Sequence, residues 1–522
     1  MAAFAAVALL VGTLAGGTVR PAAADTVPVT APAVWPTPHQ QTARGDGFPL
    51  PPTVGLVTGA STDASAVAVV KKALTSAGVT RIVTASDQQP APDAPVDVWV
   101  GRPSENKASA AALDALGIRG PNGLSAEGYV LGIGRGSDDH ARVVLAGVDP
   151  TGTFYAAQTL RQLVVSHVGR NWLPGVSIRD WPTTPLRGVI EGFYGPPWST
   201  ADRLSQFDFF AATKQNVYVY SPKDDPYLRA QWRQPYPGDQ LAVIKQLVDR
   251  ATTDHVQFTY ALSPGLSVCY SSDSDEQALV AKLDSMWNIG VHSFAIPLDD
   301  ISYTNWNCAQ DATKFGTGGV AAGEARASLL DRVQHDFIDT HPSAKRLEMV
   351  PTEYSNMSDS PYKTALRDQL DPRIIVEWTG FGVVPATITA DQAKQAERVF
   401  GHDILVWDNY PVNDYTPNRL LLGPYTGREP GMTDYVVGVT ANPMIESEPS
   451  KIAEFTSGDY LWNVGSYNAS AAWLAGLHYL GGPAWQGLKV FAENNYSSIL
   501  NPAESPTLTP LISAFWKAYD VA

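Results

Sequence analysis

Residues 293–300 read SFAIPLDD, an apolar run that ends in two adjacent carboxylates, Asp299 and Asp300. Short apolar runs of this kind are typical of buried strands. Seven further short runs are also apolar, β-branched or aromatic. Most of the eight runs are separated by segments in which apolar residues recur at helical spacing. The eight predicted strands cover residues 186–192, 217–220, 256–262, 293–298, 347–350, 374–377, 404–407 and 435–440. Strands and helices that alternate in this number predict an α/β fold of the (β/α)8, or TIM-barrel, type.

Polar and aromatic residues end or directly follow most of the predicted strands. In a TIM barrel the loops after the carboxyl ends of the strands carry the functional groups. Each position alone also fits a solvated strand end or a helix cap, but their number favours a site on one rim. The residues are Glu191, Lys223, Asp224, Asp225, Asp299, Asp300, Glu353, Tyr354, Trp378, Thr379, Asp408, Asn409 and Asn442.

The segments on either side of the barrel, which we place at residues 181–445, have different patterns. Residues 54–180 alternate strand-like and helical runs and predict a small α/β domain. Residues 446–522 carry apolar residues at helical spacing and predict a C-terminal helical domain. Residues 25–53 are rich in Pro, Thr and Ala without either periodicity, which predicts a Pro-rich linker.

The first 24 residues predict a signal peptide. Residues 2–24 are almost all small or apolar and end in three alanines before Asp25, as at a secretory cleavage site. No Lys or Arg precedes the apolar stretch, which departs from the usual pattern. No other segment approaches the ~20 apolar residues that a membrane helix needs. We therefore expect a secreted, extracellular protein without membrane insertion.

Composition excludes several classes of function. The chain has 37 basic and 52 acidic residues, a formal net charge of −15, and no basic cluster that would follow a phosphate backbone, so nucleic acid is not an expected partner. The nine histidines include no pair at metal-binding spacing, and we predict no metal site. Gly132, Gly134 and Gly136 precede another strand instead of a helix, so we predict no dinucleotide and no other cofactor.

An acidic, aromatic rim fits a sugar site, because carbohydrates offer hydroxyls for hydrogen bonds and apolar ring faces for stacking. Glycosidic cleavage normally uses two carboxylates. Adjacent residues such as Asp299 and Asp300 are poorly placed as nucleophile and acid on opposite sides of C1. They are well placed if the acetamido oxygen of a 2-acetamido sugar attacks C1, while one Asp orients the amide and the other protonates the leaving oxygen. Taken alone, the pair also fits a helix cap or metal ligands.

Six motifs lie in order along the predicted barrel. They are RGVIEGFYG at 187–195, YSPKDDPY at 220–227, the pair Asp299-Asp300, PTEY at 351–354, WDN at 407–409 with Asn413-Asp414, and Asn442-Pro443. Together they resemble the motifs of glycoside hydrolase family 84. That family holds bacterial β-N-acetylglucosaminidases, some of them named hyaluronidases, and the O-GlcNAcases.

The resemblance implies a role for each matching residue. Asp299 would orient and polarise the acetamido group, and Asp300 would act as general acid and then as general base. Residues that would bind or enclose the sugar are Gly192, Lys223, Asn409, Asp414 and Asn442 as hydrogen-bonding groups, Tyr194 and Tyr354 around the acetamido group, and Trp407 as an apolar wall. Lys223 also fits a structural partner of Asp224 or Asp225, and Trp407 also fits ordinary barrel packing.

The function predicted from these residues is a retaining exo-β-N-acetylglucosaminidase. It would act through an oxazoline intermediate on terminal β-linked GlcNAc of glycans or glycoproteins. Two alternatives share the pocket: a hyaluronidase-type endo-glycosaminidase and a catalytically silent glycan-binding module. A third is a metal-dependent hydrolase that uses the four aspartates Asp224, Asp225, Asp299 and Asp300.

The two cysteines, Cys269 and Cys308, follow the third and fourth predicted strands. Neighbouring strands of a barrel are about 4.8 Å apart, and their following loops leave the same face. In an exported protein such a pair can oxidise. We therefore predict a Cys269–Cys308 disulfide that braces the loop carrying Asp299 and Asp300, with two free thiols as the alternative.

Overall fold

The computed structural model of the chain describes residues 30–45, 47–303 and 305–521. The predicted signal peptide at residues 1–24 lies outside them. Within the described part of the chain, no helix combines the length and apolar character needed to cross a bilayer.

The N-terminal part is an α/β domain built on a seven-stranded sheet, in the order β1-β10-β6-β7-β5-β3-β4. Its core strands are parallel, whereas β1, β10 and β6 run antiparallel at one side. A smaller sheet has the order β2-β9-β8. The elements are β1 (Gln40–Ala43), β2 (Phe48–Pro49), β3 (Thr53–Thr58), α1 (Ala64–Ser76), β4 (Arg81–Ser86), β5 (Val96–Val100), α2 (Ala108–Ala115), β6 (Tyr129–Arg135), β7 (Ala141–Gly147), α3 (Pro150–Leu163), β8 (Val165–His167), β9 (Arg170–Leu173) and β10 (Val176–Asp180).

Two strands lie where the sequence predicted a linker. β1 pairs antiparallel with β10, from Gln40 opposite Arg179 to Ala43 opposite Val176, and β2 joins the smaller sheet. All four side chains of β1 are exposed, so this edge strand has no alternation of buried and exposed residues to reveal it. Ordered structure therefore begins earlier than the expected boundary near residue 54.

A closed barrel of eight parallel strands follows, which confirms the predicted TIM-barrel fold. It closes through β18 and β11, where Leu186 lies opposite Gly438. The strands are β11 (Leu186–Glu191), β12 (Val217–Tyr220), β13 (Gln257–Ala261), β14 (Ser293–Pro297), β15 (Glu348–Val350), β16 (Ile375–Trp378), β17 (Ile404–Asp408) and β18 (Gly438–Ala441).

Helices follow seven of the eight strands. Ser199 caps the first barrel helix through a reciprocal pair of hydrogen bonds with Asp202, as the Ser-x-x-Asp pattern predicted. The segment after β17 has only the 3₁₀ turn Pro430–Asp434. The helices are α4 (Thr200–Thr213), α5 (Gly238–Thr253), α6 (Asp273–Trp287), α7 (Ala309–Phe315), α8 (Gly318–Asp336), α9 (Pro361–Gln369), α10 (Ala390–Phe400) and α11 (Ser447–Trp462). Both α7 and α8 follow β14, and α11 follows β18.

The C-terminal part is helical, with α11 (Ser447–Trp462), α12 (Ala469–Gly481), α13 (Trp485–Glu493) and α14 (Leu508–Val521). Helix α11 is buried and joins the other parts at Asp180, at the end of β10. This carboxylate accepts hydrogen bonds from Tyr129 of β6 at 2.8 Å and from Trp462 of α11 at 2.9 Å, and it lies 3.4 Å from the Nζ of Lys214, which ends α4. One buried carboxylate therefore ties the α/β domain, the barrel and the helical part together.

Candidate active site

A cavity of about 140 Å³ opens at the carboxyl ends of the barrel strands. All ten residues predicted for catalysis or sugar binding line it, although they come from six different strand ends. They are Gly192, Tyr194, Lys223, Asp299, Asp300, Tyr354, Trp407, Asn409, Asp414 and Asn442. Thr379, which the sequence placed on the rim without a role, also lines the cavity. Five further residues in its wall were not predicted, namely Val350, Val383, Val384, Val412 and Tyr415. Of these five, only Tyr415 had a signal in the sequence, because it directly follows Asp414.

Asp299 forms an ion pair with Lys223 at the base of the cavity. The Lys223 Nζ donates to Asp299 Oδ2 at 2.8 Å, and the two side chains are only 3% and 10% exposed. Lys223 therefore does not serve as the partner of Asp224 or Asp225. Asp225 instead accepts hydrogen bonds from two tyrosine hydroxyls behind the loop, while Asp224 is exposed.

Asp300 points to a different group of partners. Its carboxylate accepts hydrogen bonds from the Tyr194 hydroxyl at 2.9 Å and from the Tyr354 hydroxyl at 2.8 Å. Its φ of 51° places the backbone in the left-handed region, which is uncommon for a residue with a side chain and turns it away from the line of the strand. Adjacent carboxylates thus reach two separate parts of the pocket.

The two tyrosines remain hydrogen-bond donors over a wide pH range. Burial, with the charge of Asp300 next, raises the pKa of Tyr194 to about 12. Burial and the hydrogen bond to Asp300 raise the pKa of Tyr354 well above its ordinary value. Neither hydroxyl therefore ionises near neutral pH, and both hold Asp300 in one orientation.

The opposite wall is a chain of hydrogen bonds among amides. Trp407 Nε1 and Asn442 Nδ2 both donate to Asn409 Oδ1 at 2.9 Å. The Asn409 amide in turn donates to the backbone oxygen of Val383 at 2.7 Å. These bonds fix the polar groups that the pocket offers to a ligand, because each side chain is held by its neighbour.

Gly192 lies where a side chain would collide with the pocket wall. A Cβ added there would stand 2.4 Å from the ring of Trp407, and the Gly192 amide donates to Asn442 Oδ1 at 3.2 Å. Trp407 thus packs inside the barrel and also faces the cavity, with Lys223 Nζ 5.1 Å from its ring centroid. The packing role of this tryptophan is confirmed, and its role as a wall for the sugar stays a prediction.

Glu191 and Asp408, which the sequence placed on the rim, are buried and form ion pairs with arginines. Glu191 receives both guanidinium arms of Arg203, at 2.8 and 2.7 Å, and a short hydrogen bond from Tyr218. Asp408 receives Arg428 in the same way, at 2.8 and 2.6 Å. These pairs hold the ends of β11 and β17, and thereby position the loops that carry Gly192 and Asn409. The arginines could not be predicted, because no local spacing links them to their partners.

Cys269 and Cys308 form a disulfide with their Cα atoms 5.6 Å apart, within the usual range. Cys269 lies in the loop after β13, and Cys308 precedes α7 in the loop after β14. Asp311 adds a second link by accepting the backbone N–H groups of Tyr270 and Ser271 at 2.9 and 2.8 Å. The loop that follows Asp300 is therefore fastened to its neighbour.

The four aspartates of the metal-hydrolase alternative do not converge. Within the described residues, the one group with metal-ligating geometry is Cys269, Cys308 and Asp311, whose two sulfurs are already joined to each other. Asp299 is neutralised by Lys223, and Asp225 is held by tyrosines. The arrangement offers hydrogen bonds and paired carboxylates, which suits glycosidic cleavage.

A (β/α)8 barrel with paired carboxylates in a polar, aromatic pocket defines the class of glycoside hydrolases. Residues 187–493 match the family model described as beta-N-acetylglucosaminidase. The chain belongs to this family, glycoside hydrolase family 84, as its motifs indicated. Residues 31–181 match the model for domain 2 of glycosyl hydrolase family 20, a match that begins inside the predicted linker.

Two curated relatives match about half of the chain, over 52% of its length. The chain is 33% identical over 277 residues to a protein O-GlcNAcase of Mus musculus, and 32% identical over 277 residues to that of Rattus norvegicus. Each match covers 52% of this chain and 29% of the relative. The match thus spans less than a third of the length of these relatives.

Solved structures cover more of the chain. CpGH84B has a TM-score of 0.81 at 30% identity, over 94% of this chain and 81% of that one. A mutant of the Thermobaculum terrenum O-GlcNAc hydrolase has a TM-score of 0.61 at 34% identity, over 65% and 72%. CpGH84D, at 24% identity over 92% and 78%, shares the fold with a TM-score of 0.78.

Proposed function

We propose that the chain is a retaining exo-β-N-acetylglucosaminidase in which the acetamido group of the substrate is the nucleophile. The observation that carries the proposal is the separation of roles between two adjacent carboxylates in one pocket. Asp299 is paired with Lys223, whereas Asp300 is oriented by two tyrosine hydroxyls and is accessible from the cavity. One carboxylate is thus kept as an anion inside the site, and the other lies where a leaving group can reach it.

In the first step, Asp299 takes the proton of the substrate's amide N–H as the acetamido oxygen attacks C1. The C1–O bond to the leaving group breaks, and Asp300 transfers its proton to the departing oxygen. The product of this step is an oxazoline, formed without an enzyme nucleophile because a well-oriented internal group reacts at effective molarities of about 10⁵ M or more.

In the second step, Asp300 takes a proton from water as the water attacks C1 from the face that the leaving group left. The C1–O bond of the oxazoline breaks, Asp299 returns the proton to the amide nitrogen, and the acetamido group regains its original form. Two inversions at C1 give net retention of configuration. Asp300 acts as an acid in the first step. Having lost its proton there, it can act as a base in the second step.

Exo action is supported by the small cavity and by its amide-lined wall. β18, which ends beside Asn442, lies directly across the barrel from β14, which leads to Asp299 and Asp300. A sugar with C1 at the carboxylates would direct its C4 end toward Asn409, Asn442 and Asp414. These groups suit free hydroxyls, and the endo-acting alternative would need the groove to continue beyond them.

We also propose that the enzyme is exported and meets terminal β-linked GlcNAc on glycans or glycoproteins. The disulfide supports export, because such bonds persist mainly in oxidising compartments. Similarity to an O-GlcNAcase and to an O-GlcNAc hydrolase supports a GlcNAc-bearing protein as one substrate class.

The direct experiment compares three aryl glycosides: N-acetyl-β-glucosaminide, N-acetyl-β-galactosaminide and plain β-glucoside. We expect rapid hydrolysis of the first, slow hydrolysis of the second and none of the third, with a β-configured product seen by NMR. Cleavage of the plain glucoside at a comparable rate would contradict the proposal. Loss of activity in EDTA would instead favour a metal-dependent hydrolase.

A further inference from the structure

Two carboxyl groups that the proposed mechanism does not use are buried inside the barrel. Glu348 of β15 is 1% exposed and Glu377 of β16 is 0% exposed. In register, Glu348 lies between Ala295 and Ile375, and Glu377 lies beside Leu405. Neither belongs to a sequence motif that predicted the site.

Both groups lie just beneath the pocket. Side chains two residues apart on a strand point to the same face. Glu348 therefore points into the barrel like Val350, and Glu377 points into it like Thr379. Val350 and Thr379 line the cavity. Two residues of a strand span about 7 Å, so the carboxyls lie one pleat below the pocket floor. Ala261 and Ala295, inward-facing on the neighbouring strands β13 and β14, leave room for these long side chains.

These carboxyls lack the partners that a buried anion needs. Within the described part of the chain, Glu377 Oε1, Glu377 Oε2 and Glu348 Oε2 have no hydrogen-bond partner. An ionised carboxylate without partners in an apolar interior is strongly disfavoured, so such a group keeps its proton. Burial raises the pKa of Glu348 to about 8, and burial together with the charge of Glu348 raises the pKa of Glu377 well above its ordinary value.

Glu377 also lies within the electric field of the catalytic ion pair. The charge of Asp299 opposes ionisation of Glu377, and the charge of Lys223 favours it. The titratable groups that face Glu377 are thus Glu348 from β15, Asp299 from the loop after β14 and Lys223 from the loop after β12. On β17, Asp408 is instead bound to Arg428. One cation therefore faces three carboxyls, and the set is neutral only when Glu348 and Glu377 both hold protons.

We propose that Glu377 is a positioning residue for the reaction, a neutral carboxyl beneath the pocket that leaves Lys223 paired with Asp299. Once ionised, Glu377 competes with Asp299 for the single cation and repels Asp299 through a poorly screened interior. Asp299, which must accept the substrate amide, is then displaced from its position beside Lys223. Ionisation of Glu377 therefore adds a loss of activity on the alkaline side to the loss that any general acid causes once it has given up its proton. This inference rests on the proposed function.

The test compares kcat/KM against pH for the wild type, Glu377→Gln and a matched control, Glu454→Gln. Glutamine keeps the shape of a protonated carboxyl and cannot ionise. Glu454 is likewise a fully buried carboxyl, but it lies on α11 and does not line the pocket. The alkaline midpoint of Glu377→Gln should lie at higher pH than that of the wild type, because only the general acid of the first step then limits activity at alkaline pH. Glu454→Gln should follow the wild type.

Superimposable profiles of the wild type and Glu377→Gln would overturn the inference. If Glu377→Gln does not fold, Glu348→Gln provides a second test. Removing the Glu348 carboxyl removes its repulsion of an ionised Glu377, so Glu377 should ionise at lower pH and the alkaline midpoint should move to lower pH. A midpoint that does not move would also overturn the inference.

A readout independent of activity separates this inference from the proposed function. The infrared band of protonated carboxylic acids in the intact protein should lose intensity in Glu377→Gln at neutral pH. An enzyme without glucosaminidase activity would contradict the proposed function. An unchanged infrared band would contradict the neutral state of Glu377 whatever the activity.

Discussion

Lys223 Nζ lies 2.8 Å from Asp299 Oδ2, and both side chains are almost completely withdrawn from solvent. Loss of either partner of this buried ion pair would leave an uncompensated charge in a poorly hydrated site. The pair therefore contributes more than an exposed surface ion pair would. It also places the cation in the part of the pocket that binds the acetamido group in the proposed mechanism. The pair therefore sets the electrostatics of the pocket before any ligand enters.

Replacing Lys223 by Met should abolish most activity while the fold persists. The methionine fills the space but leaves Asp299 without its cation, so we expect kcat/KM to fall by at least about 100-fold, or about 2.7 kcal/mol. Kinetics on the aryl N-acetyl-β-glucosaminide measure the change. Lys245→Met is the control, because Lys245 forms an exposed ion pair with Asp249 on α5. A loss of only a few-fold in Lys223→Met would show that the pair is incidental.

Asp299→Ala and Asp300→Ala should differ in their dependence on the leaving group. Only a poor leaving group needs full protonation as it departs, so Asp300→Ala should lose far more rate on alkyl glycosides than on activated aryl glycosides. Asp299→Ala should lose a similar factor on both. Plots of kcat/KM against leaving-group pKa measure this, and equal slopes for the two variants would refute the assignment.

Gly192→Ala should inactivate the enzyme with little loss of stability. The added methyl group would stand 2.4 Å from the ring of Trp407, which must move into the cavity or away from Asn409. We expect kcat/KM to fall by more than about tenfold, equivalent to about 1.4 kcal/mol. Gly238→Ala, where an added Cβ meets nothing within 4 Å, is the matched control. Equal activity in the two variants would mean that the contact relaxes freely.

The sequence predicts those site residues that lie in a local pattern or motif, and it does not predict those whose contacts form only in the folded protein. The strands and helices follow the 2-residue and 3.6-residue periods, so the barrel and several polar strand ends could be placed, whereas the full set of ten pocket residues was implied by the resemblance of the motifs to glycoside hydrolase family 84. β1 could not, because all of its side chains face solvent. Arg203 and Arg428 meet their carboxylates only through tertiary folding. Glu377 ends the predicted strand at residues 374–377, and nothing in a sequence distinguishes a buried carboxyl from an exposed one.

Glu454→Gln should stabilise the protein at alkaline pH relative to acid pH. Burial raises the pKa of Glu454 to about 8 from an ordinary value of 4.5, so the folded state holds a proton that the unfolded chain releases. Stability of the wild type therefore falls as pH rises from about 4.5 to about 8, by up to about 1.4 kcal/mol per pH unit for this group. Denaturant unfolding at pH 5 and pH 8 measures the difference. If the substitution changed the free energy of unfolding equally at pH 5 and at pH 8, the prediction would be wrong.

The most direct measurement of the central claim replaces the acetyl hydrogens of the aryl N-acetyl-β-glucosaminide stepwise by fluorine. Fluorine withdraws electrons from the carbonyl oxygen, and this oxygen is the nucleophile in the proposed mechanism. We predict that log kcat/KM falls steadily from the acetyl to the trifluoroacetyl substrate, while the leaving group is unchanged. Rates that do not depend on fluorination, together with a trapped covalent ester between the sugar and an aspartate, would contradict the account.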